Sequence, residues 1–582
     1  MFKLINNRAK ICSFILLLFV AHIKVSQAQN DNRSEISKQL EIFNALLKEM
    51  EMFYVDSIDV EETLRQGINA MLGGLDPYTE YIPEQDMGEL RLITTGEYGG
   101  IGASIRKRED GVIIAEPFEG MPAALGGLMA GDRIISIDTV DVEKYPNDEF
   151  VSNMLKGLPN TKLKIKLLRP GEKKPRTIEL TRKQIIVNQV TYYGVHNNDV
   201  GYIYLRGFTD KSAQEVKAAF EDLRENHNIK SLILDLRDNG GGILESAVQI
   251  VNLFVPKGKE VVSTKGKIPQ WDRIYRTSAE PVDTLMPLAV LINRGSASSA
   301  EIVSGALQDM DRAVLIGQRS YGKGLVQSPR ELPYNGTLKV TISKYYIPSG
   351  RCIQRIDYTH RNTDGSVGNI PDSLTSVFYT SKGRPVRDGG GIRPEFEVEE
   401  DNMPTMLYYL LDDYVLFDFI TDYVQRHKTI APIEEFTLAD EDFDNFKKYA
   451  KEKNFSYDRQ SEKILKNLKN IASFEGYLEE NDSTTLKELE SKLTPDIERD
   501  FERFKDQIKK IMSAEIVKRY YFEKGKLIES LKNDPVLDKA FEVLASPKLL
   551  EEVLSVKRQT GQASDDNSKD GVNIKFPREK KS

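Results

Sequence analysis

Three short apolar runs, each followed by a stretch of helical character, constrain this chain more than any other feature. Gly201 to Leu205 precedes a helix reaching about Leu223. Ser231 to Leu236 precedes a helix over Leu244 to Phe254, and Leu288 to Asn293 precedes one over Ser299 to Met310. Apolar strands alternating with helices predict an α/β layer with strands buried on both faces. The second run is followed by three glycines and the third by small residues, so both open into tight turns.

The rest of the chain differs in texture. At 582 residues it is too long for one core, and length alone suggests about three or four domains. Residues 29–90 read as a helical region, with Ile36, Leu40, Phe43, Leu46 and Leu47 at helical spacing and a second helix from Val60 to Leu72, stopped by Gly73-Gly74. Residues 91–183 read as short strands with glycine turns, and Leu163-Lys164-Ile165-Lys166-Leu167 alternates as a half-buried strand does. The α/β block spans 184–400. Residues 401–557 are again helical and highly charged, and 558–582 form a polar tail read as disordered.

The first residues have the layout of a secretory signal. Lys3, Arg8 and Lys10 precede the apolar run Ile11 to Val20, and Ser26-Gln27-Ala28 follows. Cleavage after Ala28 removes four positive charges and no acidic one, taking the net charge from −8 to −12. The competing reading is an uncleaved anchor, for which the run is short. Cys12 leaves with the signal and Cys352 then stands alone, so no internal disulfide is expected. The absence of a basic surplus sets nucleic acid aside.

Three segments carry chemistry. In Asn293-Arg294-Gly295-Ser296-Ala297-Ser298-Ser299-Ala300-Glu301 a buried strand turns into a helix through small residues. A serine there sits beside helix N–H groups that favour developing negative charge, although plain N-capping explains a serine at this point equally well. In Asp235-Leu236-Arg237-Asp238-Asn239-Gly240-Gly241-Gly242 three glycines permit a tight bend whose N–H groups can cradle an oxyanion. The bend lacks the Gly-Lys-Ser/Thr ending of a phosphate loop. In Tyr321-Gly322-Lys323-Gly324-Leu325-Val326-Gln327 a lysine lies between two glycines. Burial disfavours the charged form of an amine, and a neutral amine can take a proton from a serine. On an extended strand Lys323 and Gln327 would share a face at roughly 13 Å, so a bond between them requires the glycines to fold the chain back.

Competing chemistries have weaker support. Ser320-Tyr321-Gly322-Lys323 fits a Ser-x-x-Lys pattern that works on a helical turn, which Gly322 and Gly324 oppose. His196, His227, His360 and His427 stand in no catalytic context, and no metal-ligand spacing is present.

Together the segments resemble the carboxy-terminal processing peptidases. Gly295 to Ile302 is similar to that family's Ser-Ala-Ser-Ala-Ser-Glu-Ile box, and the Gly-Lys-Gly-x-Val-Gln box follows with its lysine 25 positions after Ser298. The Asp-Leu-Arg-x-Asn-Gly-Gly-Gly box is present in full. Tyr346 to Arg351, Ile353-Gln354 and Gly390 to Pro394 extend the likeness. The resemblance implies a multidomain α/β protein with a ClpP/crotonase-like core. It implies Ser298 as nucleophile, Lys323 as base and Gln327 as the residue orienting it. Gly240, Gly241 and Ser299 are implied as oxyanion donors. The serine box reads Ser298-Ser299-Ala300 where the family more often has Ser-Ala-Ser, which leaves Ser299 as an alternative nucleophile.

The block from Tyr98 resembles a PDZ domain. Tyr98-Gly99-Gly100-Ile101-Gly102 is similar to its carboxylate-binding loop, and Pro122 to Ile137 contains an Ala-Gly-Asp-Arg-Ile element. The resemblance implies an exported, periplasmic or envelope-associated protease that needs no cofactor or metal. Its partners would be proteins with accessible C-termini, and the 401–557 region is a candidate oligomer or adaptor surface. The rival class is an inert exported PDZ scaffold or chaperone.

Overall fold

A computed structural model describes residues 34–88, 94–144, 148–399, 403–457, 460–476, 484–493 and 496–555. The expected signal, Cys12 and the polar tail lie outside the described residues. The chain divides into two units.

The smaller unit comprises the chain up to Ile82 together with Pro329–Val340. Residues 34–53 are helical. A second helix, Val60–Gly73, starts where the Asp59 carboxylate accepts the Glu62 N–H at 3.0 Å and stops against Gly74. That matches the double-glycine stop. The expectation of helix as far as residue 90 fails at Glu80–Ile82, which is a strand paired antiparallel with Thr337–Lys339. Its partner lies more than 250 residues away in sequence, so local periodicity carries no sign of it.

The larger unit begins with a small sheet. Strands β1 (Ala103–Arg108), β2 (Gly111–Pro117), β3 (Arg133–Ile137), β4 (Lys162–Leu168) and β5 (Arg176–Thr181) pair in chain order. In β4 Leu163, Ile165 and Leu167 are buried and the lysines between them exposed, as the alternation predicts. Helix α1 (Asp148–Leu155) buries Val151 and Leu155 against this sheet. Tyr98, Gly99 and Gly100 lie in a strand paired with Lys183–Ile186.

The central sheet also runs in chain order. Strands β6 (Val190–His196) and β7 (Val200–Leu205) are antiparallel. From β7 the sheet continues parallel through β8 (Ser231–Asp235), β9 (Leu288–Ile292), β10 (Val314–Gly317) and β11 (Phe396–Glu397). All residues of β8, β9 and β10 are buried, which explains their unbroken apolar runs. Crossover helices α2 (Ser212–His227), α3 (Leu244–Phe254) and α4 (Ser299–Asp309) cover one face.

The charged region after residue 403 supplies two layers. Helices α5 (Thr405–Asp412), α6 (Val415–Arg426) and α7 (Lys505–Ser530) share one apolar cluster, including Leu410, Phe419, Ile508 and Met512. Helix α8 (Pro535–Leu544) instead covers the second face of the central sheet, burying Val536, Leu537, Ala540 and Val543 against Ile233, Leu291 and Ile316. Full burial of such a side chain contributes about 1.5–3 kcal/mol. The peptidase layer is therefore completed by residues well beyond 400. The joint is ionic as well: Arg237 pairs with Asp235 at 2.6 Å and with Asp534, the cap of α8, at 2.7 Å.

Candidate active site

Three adjacent parallel strands place the three chemical segments side by side. The glycine bend follows β8, the serine turn follows β9, and the lysine loop follows β10, all at carboxyl ends.

Side-chain amides stitch the first two together. Asn293 Oδ1 accepts the N–H groups of Asp238 (2.9 Å) and Gly295 (3.0 Å), and its Nδ2 donates to Asp238 Oδ1. Asn239 Nδ2 donates to the Leu205 carbonyl, while its Oδ1 accepts Gly241 N–H at 2.9 Å. The Ala297 N–H donates to the Asn239 carbonyl at 2.9 Å. Ser296 Oγ is spent structurally, on Leu236 O at 2.7 Å.

Ser298 occupies the N-cap of α4, so the capping expectation describes its position. Its backbone does not fit an ordinary cap. With φ 56° and ψ −114° it lies outside the extended region that cap residues adopt. A non-glycine residue held there carries local strain, and such strain gathers at functional sites. Gly241, at φ +98°, approaches it closely: a Cβ on Gly241 would lie 2.7 Å from Ser298 Cβ and 3.0 Å from Ser299 N. The Ser299 N–H opens the helix and has no intrahelical acceptor. Gly240 is exposed, with open space where a side chain would project. Its neighbour Gly241 gives its own N–H to Asn239, so of the two expected glycine donors Gly240 has the N–H left over. Ser299 Oγ donates to Gly242 O at 2.9 Å, which ties the alternative nucleophile into the turn.

One carboxylate joins the serine turn to the lysine loop. Glu301, fully buried, accepts Ser298 N–H and Lys323 N–H on Oε2, each at 2.9 Å. The two backbone nitrogens are thus within about 6 Å of each other. On Oε1 it accepts Ser320 Oγ at 2.5 Å and Gly322 N–H at 2.7 Å. Burial pushes the Glu301 carboxyl up to about 7 against the pull of these four donors. From the other side, the buried Tyr345 hydroxyl donates its one proton to Lys323 O at 2.7 Å and lies 3.2 Å from Ser298 O.

The glycines around Lys323 are there for close approach. A Cβ on Gly322 (φ +87°) would lie 2.5 Å from Arg355 Cβ, and one on Gly324 2.9 Å from Gln354 N. The loop is pinned accordingly, with Gly324 N–H on Gln354 Oε1 at 2.7 Å. The loop leads into the strand Leu325–Glu331, where Gln327 gives its amide to Thr341 Oγ1 at 3.0 Å. Residues 319–324 are not helical and Ser320 is committed to Glu301 and to Ile392 N–H, which removes the Ser-x-x-Lys arrangement. His360 touches both Thr359 and Asp357 through the same Nδ1, on an exposed strand, so it forms no relay. Among the described residues no cluster of three or more His, Cys, Asp or Glu side chains is placed to hold a metal.

Sequence reasoning missed Tyr345 entirely and named Glu301 only as the end of the serine segment. The available signal was an acid inside the otherwise apolar run Ala300-Glu301-Ile302-Val303. A carboxylate buried in that way needs donors around it.

The closeness of Gly241 to Ser298 gives a direct test. Gly241→Ala is expected to lower turnover at least about 100-fold, the scale of losing one oxyanion donor. The melting temperature should fall as well, since the added Cβ meets backbone at 2.8 and 3.0 Å on a positive φ, so rates are compared where both proteins are folded; comparable cleavage rates would contradict this.

Comparison with known proteins identifies the family. Peptidase family S41 matches residues 199–360, a PDZ domain matches 99–181, and the C-terminal helical domain of a probable PDZ-protease matches 406–544. A carboxy-terminal-processing protease of Bartonella bacilliformis is 35% identical over 358 residues, which is 60% of this chain and 81% of that one. A carboxyl-terminal-processing protease of Synechocystis is 35% identical over 302 residues, 51% of this chain and 69% of its own. The solved photosystem II D1 C-terminal processing protease is 26% identical, with a TM-score of 0.34, over 62% of this chain and 87% of that one. With the glycine bend, serine turn and lysine loop assembled at one sheet edge, and a relative of this identity spanned over most of its length, the chain belongs to the carboxy-terminal-processing protease family.

Proposed function

We propose that the protein is an exported serine endopeptidase that cuts proteins selected by their C-termini, using Ser298 and Lys323. The observation that carries this reading is the pair of bridges, Glu301 on the two N–H groups and Tyr345 beside the two carbonyls, which hold residues 298 and 323 against each other.

In the reaction the neutral Lys323 amine takes the Ser298 hydroxyl proton as Oγ attacks the scissile carbonyl. The N–H groups of Gly240 and Ser299 receive the oxyanion, while Gly241 leaves room for it. The Lys323 ammonium returns its proton to the departing amine. Water, deprotonated by the same amine, then releases the acyl group. Gln327 acts through the lysine as a positioning residue. The PDZ domain supplies substrate choice: a terminal peptide adds as a strand, with its carboxylate at the Tyr98 to Gly102 loop. Residues 1–28 act as the export signal. No helix among the described residues is long and apolar enough to cross a membrane.

The test incubates an unstructured protein with wild type and with Ser298→Ala, and products are identified by mass spectrometry. Wild type is expected to cut and Ser298→Ala to leave the substrate intact. Amidating the substrate's C-terminus should raise KM at least about tenfold, since a charge-assisted contact is lost. Cleavage by both proteins points to a different nucleophile. Cleavage by neither favours the inert scaffold.

A further inference from the structure

A cavity of about 440 Å³ lies between the PDZ sheet and helices α5, α6 and α7, away from the catalytic residues. Ser104 and Arg106 of β1 face it, whereas Ala103 and Ile105 pack with α1 in the PDZ core. It is therefore on the side of β1 opposite the helix α1. Its walls are largely apolar, with Leu128 contributed by the PDZ side and Leu416, Phe417 and Ile420 by the helical side.

Arg519 is the feature that these walls do not explain. Its guanidinium lies 4.4 Å from the centre of the Phe417 ring and lines the cavity. Burial pushes it down to about 10. Three carboxylates are near enough to act on it, and each is engaged elsewhere. Glu515 is held by Lys526 at 2.6 Å, Glu116 by Lys518 at 2.7 Å, and Asp418 by Arg108 through two bonds at 2.6 and 2.8 Å. Among the described residues no acidic side chain lies within ion-pair distance of Arg519. Arg519 is half-buried, a guanidinium partly withdrawn from water gains from meeting an anion, and its planar fork suits a carboxylate. The backbone beside it is strained: Phe522, which also lines the cavity, interrupts α7 at φ 56° and ψ −162°.

We propose that this cavity binds an apolar carboxylate, its anionic head on Arg519 and its hydrocarbon body along Leu128, Leu416 and Ile420. The volume falls within the range of small-molecule sites, and the apolar part of the lining is accompanied by Arg106, Lys518, Arg519 and Lys526 against Glu116 and Glu515, each of which is held by a lysine, so the charged part favours an anion. Two sources carry that chemistry: a free fatty acid, or the new C-terminal residue of a cleaved peptide. Either occupant touches the PDZ domain and the helical domain at once.

The test uses the full chain carrying Ser298→Ala, so that no peptide is consumed, and titration calorimetry. The probes are decanoate and acetyl-Leu-Leu, with decanol and acetyl-Leu-Leu-amide as their uncharged counterparts. At least one carboxylate is expected to bind, at least about tenfold more tightly than its counterpart, and Arg519→Met should erase that advantage. Binding of decanoate alone identifies the fatty acid, and binding of the dipeptide alone identifies the product peptide. Should Arg519→Met fail to fold, as judged by its melting curve, Met129→Trp at the cavity wall serves instead and is expected to block binding by filling the space. Binding of neither probe overturns the proposal. So does binding unaffected by the Arg519 or Met129 substitution, which would also describe a peptide held only in the PDZ groove. Because the readout is binding, proteolytic inactivity leaves this result intact.

Discussion

Cleavage of an unstructured protein falls at least about a thousandfold when Lys323 is replaced by arginine, with the melting temperature unchanged within a few degrees. The substitution separates two roles for a lysine beside a nucleophile. If the side chain only supplied positive charge, arginine would serve, because it keeps that charge at any working pH. If the side chain accepts the proton of Ser298 Oγ, arginine fails, since it has no neutral form to offer. The fold should tolerate the change. The backbone at 323 is held through its N–H by Glu301 and through its carbonyl by Tyr345, and neither contact involves the side chain. Lys323→Met, apolar and of similar length, should be as inactive as Ser298→Ala. An arginine variant retaining a tenth or more of wild-type turnover would remove lysine from the base role.

The core was readable because its strands are buried on both faces. Runs such as Leu232-Ile233-Leu234 and Ala289-Val290-Leu291 admit few other folds, and the helices after them show their own period. The site was readable for a related reason. Gly241, Gly322 and Gly324 each sit where a Cβ would collide with a neighbour, so their spacing records a shape. Less was legible where a residue's job depends on a partner remote in sequence. Tyr345 is an aromatic in a strand like many others, and only the fold brings its hydroxyl to the carbonyls of 298 and 323. A helical, highly charged reading of 401–557 does not name the sheet face that α8 covers, so the peptidase layer looked complete near 400. Gln327 shows the limit of a motif. Its spacing fits the family box, while its amide goes to Thr341, fourteen residues away on another strand segment.

Glu301→Gln tests the bridge itself, and here kcat should fall at least about 100-fold while KM stays near its wild-type value. A carboxylate accepts on both oxygens, and Glu301 uses both, two donors on each. An amide accepts on one side only. Whichever way the substituted side chain turns, its NH₂ confronts either the N–H pair of Ser298 and Lys323 or the pair formed by Ser320 and Gly322. Each buried donor left unpaired costs about 1–3 kcal/mol, and relief comes from moving the two loops apart. Since the side chain at 301 touches no substrate, the loss appears in turnover.

A titration separates this from a general weakening of the fold. The Glu301 carboxyl is raised from its ordinary 4.5 to about 7 in the folded chain. Between those values the folded protein holds a proton that the unfolded chain has released, so wild-type stability declines as pH rises through that window and levels off above it. The decline amounts to about 3 kcal/mol at most. Glutamine does not titrate, so the wild-type advantage over Glu301→Gln should shrink from pH 5 to pH 7 in paired unfolding measurements. A constant difference across that range would mean that Glu301 is ionised throughout, and that the bridge to Ser298 and Lys323 is a fixed charge independent of pH.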